Sequence, residues 1–151
     1  MSTVNSPSSI TSEASFETAI IASLTKHGGY EQGQAADYDP ETGLFKNEVL
    51  AFLQSTQPSA WERIRSVHGA DTETRLVQRL CREMDLRGSL DVLRNGFTDY
   101  GVKFRMACFK PESGLNPDTV ALYEQNRLKV YRQVSYSRKN RNSVDLVLCL
   151  N

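Results

Sequence analysis

Val144-Asp145-Leu146-Val147-Leu148-Cys149-Leu150 is apolar at every position but one. A short run of this kind describes a strand covered on both faces, as in the interior of a sheet. Asp145 is the exception. An ionised carboxylate in such a strand loses several kcal/mol of hydration, on the order of the penalty for any buried charge, unless a cation or metal compensates it. Two explanations follow from the residues: a salt bridge to a neighbouring arginine or a strand end in water, or a ligand for a hard cation such as magnesium. Strand alternation puts Asp145 on one face with Val147 and Cys149.

Immediately upstream lies a strongly basic stretch. Between Arg127 and Val144 there are six cations, Arg127, Lys129, Arg132, Arg138, Lys139 and Arg141, and no acidic residue. Leu128 to Tyr136 alternates as a strand, and Arg138 to Asn142 is a polar turn, so the segment predicts a basic hairpin leading into Asp145. Lys129, Arg132, Arg138, Lys139 and Arg141 are candidate phosphate contacts, because a hairpin of one sign suits a polyanion. Further back, Val102, Phe104, Met106 and Cys108 alternate with polar residues as another half-buried strand, and Asp118 to Gln125 reads as a helix.

From Ser12 to Asn95 the period is helical. Ser12 is a natural N-cap, and Phe16, Ile20 and Leu24 recur at intervals of four before His27-Gly28-Gly29 stops the helix. Asn47 to Ser55, Pro58 to Val67 (stripe Trp61, Ile64, Val67), Asp71 to Gly88 and Leu90 to Arg94 follow. In the fourth, Leu76, Val77, Leu80, Cys81 and Met84 form the apolar face, and Arg75, Arg79, Arg82 and Glu83 the polar one. The 31 to 48 stretch predicts a solvated acidic loop, whose spacing lacks the twelve-residue calcium pattern. Helices followed by strands predict an α/β (α+β) chain; the mixed sheet flanked by helices is what the family resemblance given below implies. Met1 to Thr11 is expected to be a disordered tail, and 12–151 one domain, with a helical half (12–96) and a strand-rich half (97–151).

The chain has 151 residues, 39% of them hydrophobic, which suffices for one core. Eighteen Lys and Arg balance eighteen Asp and Glu, so any attraction to nucleic acid must be local. No run is long and apolar enough to span a bilayer, and a cytoplasmic location without membrane contact is expected. Three scattered cysteines, Cys81, Cys108 and Cys149, suggest free packed thiols rather than a disulfide framework or zinc site. His27 and His68 each precede a glycine, where a cation at a helix carboxyl end is mildly favourable.

The ordered set Phe16-Glu17-Thr18-Ala19-Ile20-Ile21, His27-Gly28-Gly29-Tyr30, Asn126 to Val134 and Asn142 to Asn151 resembles the amino-terminal region of type I restriction enzyme R subunits. The resemblance implies a nuclease domain of the PD-(D/E)xK type, in which a strand supplies an Asp and the next strand a Glu-x-Lys. Asp145 falls at the first acidic position, where it would be catalytic and hold magnesium. The resemblance also places an acidic residue of the first helix, here Glu17, near the site. The Glu-x-Lys would fall shortly after Asn151, so these 151 residues alone are expected to be inactive, and Val144 to Leu150 to expose an edge that invites self-association.

The same resemblance implies magnesium-dependent cleavage of double-stranded DNA. In the complete subunit it also implies an ATP-driven motor and assembly with modification and specificity subunits. No GxxxxGK[ST] loop occurs in this sequence, so ATP is expected only in that motor. Two alternatives stay open: a non-catalytic nucleic-acid-binding module using the basic hairpin, and a subunit-docking domain using the Arg75, Arg79 and Arg82 face.

Overall fold

The computed structural model describes residues 12–151, so the expectation of a disordered 1–11 tail lies outside the described residues. Six helices, α1 (Glu13–His27), α2 (Lys46–Thr56), α3 (Pro58–His68), α4 (Thr72–Arg87), α5 (Ser89–Asn95) and α6 (Pro117–Glu124), accompany five strands. These are β1 (Glu31–Gln32), β2 (Phe97–Asp99), β3 (Val102–Phe104), β4 (Leu128–Ser135) and β5 (Ser143–Leu150). Strands β1, β4 and β5 form a mixed sheet in that order, β1 parallel and β5 antiparallel to β4, while β2 and β3 make a separate hairpin. The chain is therefore mixed α/β, with β1 contributed by the segment read as an acidic loop.

The strand with neighbours on both sides is β4. Val130, Tyr131 and Val134 are buried almost completely, whereas β5 lies at the sheet edge with Val144, Leu148 and Leu150 exposed. The expectation that the 144–150 run is covered on both faces is thus corrected: it pairs with β4 along one edge, and among the described residues no strand pairs with the other.

Two apolar cores flank this arrangement. Phe52, Leu53, Ile64, Leu76, Leu80, Val92, Phe97 and Phe104 pack helices α2 to α5 against the β2–β3 hairpin. A smaller core sits on the sheet, where Phe45 stacks on Tyr131 with ring centroids 3.7 Å apart, and Val134, Tyr38, Val147 and Cys149 surround them. Each large buried aromatic here contributes on the order of 3–5 kcal/mol against truncation.

Several local readings shift by a residue or a face. The strand expected to run from Val102 to Cys108 ends at Phe104, because side chains capture the backbone groups beyond it. Gln57 accepts from the Arg105 amide at 2.7 Å and donates to its carbonyl at 2.9 Å. Asn126 accepts from the Cys108 amide at 2.9 Å and donates to its carbonyl at 2.5 Å. Met106 and Cys108 remain buried without being in a ladder. In α3, Ile64 is buried but Val67 is half exposed; His68 turns inward instead, 2.7 Å from the buried Asp99 carboxylate. In α4, Glu83 is buried rather than on a solvated face, held by Arg79 at 2.8 Å and Arg87 at 3.0 Å.

Gly96 ends α5 with φ +70°, and a Cβ there would collide with the Phe104 carbonyl across the hairpin. Gly96→Ala should lower the melting temperature by at least about 3 °C, since a cost above roughly 1 kcal/mol shifts a domain of this size by a few degrees. Gly114→Ala, at a position with open space around it, should leave the transition within a degree or so. Equal melting of both variants in a calorimetric scan would contradict this packing.

Candidate metal site at the α1–sheet junction

Helix α1 starts at Ser12, whose side chain accepts from the Ser15 amide at 3.2 Å. The buried row of this helix is Glu17 and Ile21, not the expected Phe16, Ile20 and Leu24; Phe16 is 68% exposed and Glu17 only 6%. The helix is rotated by one position because Glu17 has a partner inside. Arg132 of β4 donates from Nε to Glu17 Oε2 at 2.7 Å, and its terminal nitrogens reach Thr18 Oγ1 at 3.3 Å and the Ala14 carbonyl at 3.4 Å. A charge-assisted contact of this length, with further hydrogen bonds around it, offsets much of the cost of burying the carboxylate.

The residue after Arg132 breaks the strand. Gln133 has φ +53°, a left-handed conformation that costs a non-glycine residue on the order of 1 kcal/mol or more. It is also the one position in the Leu128–Ser135 ladder, opposite Asp145, that forms no regular pair. The twist turns consecutive side chains toward α1, so that Arg132 and Gln133 both reach Glu17. Gln133 Nε2 donates to Glu17 Oε1 and to Asp145 Oδ1, each at 3.2 Å, and Ser143 donates to Gln133 Oε1 at 3.1 Å.

Glu17 and Asp145, the two acidic positions singled out in the sequence, are thereby brought together. With Glu13 they present carboxylate oxygens that all lie within 4.8 Å of one another. Asp145 is exposed, not sunk in a sheet interior, and among the described residues no guanidinium lies within 4.0 Å of its carboxylate. Three formal negative charges face one direct cation, Arg132, which leaves an excess of two. Oxygen donors in this number and with this charge fit a hard divalent cation, which takes carboxylates and keeps several waters.

Most of the basic hairpin is already neutralised. Arg127 pairs with Glu48 at 2.8 Å, Lys129 with Glu31 at 3.0 Å and with Glu48 at 3.8 Å, and Arg138 with Glu41 at 2.8 Å. The supposedly free acidic loop therefore supplies the counter-ions, Asp39 meeting Lys46 as well. The Lys129 ammonium beside Glu31 holds that carboxyl below its usual value, and Glu48 holds the Arg127 guanidinium above its own. Of the five expected phosphate contacts, only Lys139 and Arg141 have no carboxylate within 4.0 Å among the described residues.

Sequence reasoning missed Glu13, Gln133 and Ser143. Glu13 was legible, since it lies one helical turn before Glu17. Gln133 was half legible, since strand register places it opposite Asp145, but its left-handed backbone has no sequence signal. Scans against protein-family models and searches of curated proteins and of solved structures return no match.

Against the Phe45–Tyr131 core, burial pushes the Cys149 thiol up from 9.0 to about 11, with the Glu48 carboxylate adding to the shift. Burial also raises the neighbouring Tyr131 hydroxyl. Both groups are neutral near pH 7, which leaves Cys149 a packed thiol and not a nucleophile. A folded-state value above the ordinary one gives stability that is complete below about pH 9 and lost as the pH rises toward 11. Melting temperature should therefore fall over that window, and Cys149→Ser should flatten the fall; an unchanged alkaline profile in the variant would contradict the shift.

Proposed function

We propose that Glu17 and Asp145, with Glu13 beside them, form the divalent-cation site of a nuclease domain that cleaves the phosphodiester backbone of double-stranded DNA. In this reading the chain is the amino-terminal region of a type I restriction enzyme R subunit. The supporting observation is the convergence of Glu17 and Asp145. They come from opposite ends of the described chain, occur on different elements, and meet beside a strained Gln133 that donates to both.

Magnesium held there would stabilise charge on the phosphate and its leaving oxygen. The protein residues divide the remaining work. Arg132 anchors the buried Glu17 and so fixes α1 on the sheet; Gln133 sets the separation of the two carboxylates; Lys139 and Arg141 are the hairpin cations available to neutralise flanking phosphates. In the complete subunit, the same reading carries an ATP-driven motor, modification and specificity subunits as partners, and a cytoplasmic setting. The open edge of β5 suits strand addition by a further segment or chain.

Manganese(II), a paramagnetic stand-in for magnesium, provides the test. Titration followed by electron paramagnetic resonance should show one saturable site, weakened at least about tenfold, or roughly 1.4 kcal/mol, by Asp145→Asn and by Glu17→Gln. Asp145 is exposed, so its variant should keep the native melting transition. Manganese binding that is absent, or indifferent to Asp145, would defeat the proposal.

A further inference from the structure

A second surface, independent of the carboxylate site, has the composition of a polyanion groove. Three cavities adjoin one another along the β2–β3 hairpin and the segment that follows it. The first, of about 510 Å³, and the second, of about 380 Å³, share Lys103 and Arg105. The second and the third, of about 450 Å³, share Phe109 and the backbone before it. Arg94 lines the second cavity and Lys110 the third.

The charge along this path is one-sided. The first two cavities have no acidic residue in their walls, and the third has one, Glu124. No carboxylate among the described residues lies within 4.0 Å of Arg94, Lys103, Arg105 or Lys110, whereas most cations of the β4 hairpin are paired. Two large aromatic side chains stand open on the same path, Phe109 at 60% exposure and Tyr123 at 41%. Phe109 lines the second cavity together with Arg105 and the third together with Lys110, which also follows it in sequence.

We infer that this groove binds single-stranded nucleic acid. Unpaired cations take the phosphates, and Phe109 and Tyr123 stack on unpaired bases. A paired duplex hides its base faces and would use only the cations; single strands use both features, which is the combination present here. Four phosphate contacts predict a slope of about −3 in log affinity against log salt, at roughly −0.7 per contact for single strands.

Fluorescence anisotropy with a labelled oligothymidylate and with a duplex of equal length tests the inference on the full chain. The oligothymidylate should bind more tightly than the duplex. The Lys103→Gln/Arg105→Gln variant should reduce the salt slope by about 1.4, and Phe109→Ala should weaken binding at least about fivefold with the slope retained. A second measurement needs no substitution: photocrosslinking of a bromodeoxyuridine oligonucleotide to the unaltered chain should place adducts at Phe109 or Tyr123. No binding at low salt, duplex binding as tight as single-strand binding, indifference to Phe109→Ala, or adducts confined to the β4–β5 hairpin would each overturn the inference. None of these readouts depends on a metal at Asp145, so loss of the cation site and loss of the groove are separate results.

Discussion

The contact between Arg132 and Glu17 joins helix α1 to the central strand β4 and holds Glu17 within reach of Gln133 and Asp145. Without it, α1 would bury a carboxylate against a sheet with nothing to offset the lost hydration, and the helix would turn Phe16 inward as its apolar spacing suggests. With it, Glu17 becomes the buried residue and Phe16 the exposed one. One ion pair thus decides the rotation of the first helix. The same rotation carries Glu13, one turn earlier, to the side of Asp145.

The sheet makes that possible by placing β4 at its centre. Pairs with β5 on either side of it, Arg132 with Leu146 and Val134 with Val144, hold the left-handed Gln133 in mid-strand. Strain at one residue is tolerated where surrounding pairs over-determine the backbone, and such residues concentrate where side chains must be aimed. Gln133 is aimed at two carboxylates at once. The acidic 31 to 48 segment contributes from the other side, its Glu31, Glu41 and Glu48 absorbing the charge of the basic strand. Zero net charge in the chain is therefore built from cross-element pairs as well as from separate patches.

The pattern of the sequence was enough for the mixed α/β class, the helical first half and the β4–β5 hairpin, and it marked Asp145 as the one charged residue of its strand. It misled where tertiary partners override local spacing. Phe16, Ile20 and Leu24 form a good apolar row, but the ion pair between the half-buried Arg132 of β4 and Glu17 outweighs it. Val102 to Cys108 alternates like one strand, yet Gln57 and Asn126 take its backbone groups after Phe104. The 144–150 run looks like an interior strand because apolarity does not reveal whether a strand has one neighbour or two. The cations of the β4 hairpin looked available because their counter-ions lie some 80 to 115 residues away in sequence, as with Arg127 and Glu48 or Arg132 and Glu17, a distance at which charge patterning is silent.

The carboxylates of Glu13, Glu17 and Asp145 carry two formal negative charges more than Arg132 cancels, and the proposed function assigns that excess to a divalent ion. Crystals soaked in manganese(II) and measured at its absorption edge address it directly. An anomalous peak is expected within coordination distance of Asp145 and Glu17, with Arg132 still on β4 beside it. A map with no peak there, or with manganese bound only elsewhere while the Arg132–Glu17 pair and the Gln133 bridge stand unchanged, would contradict it.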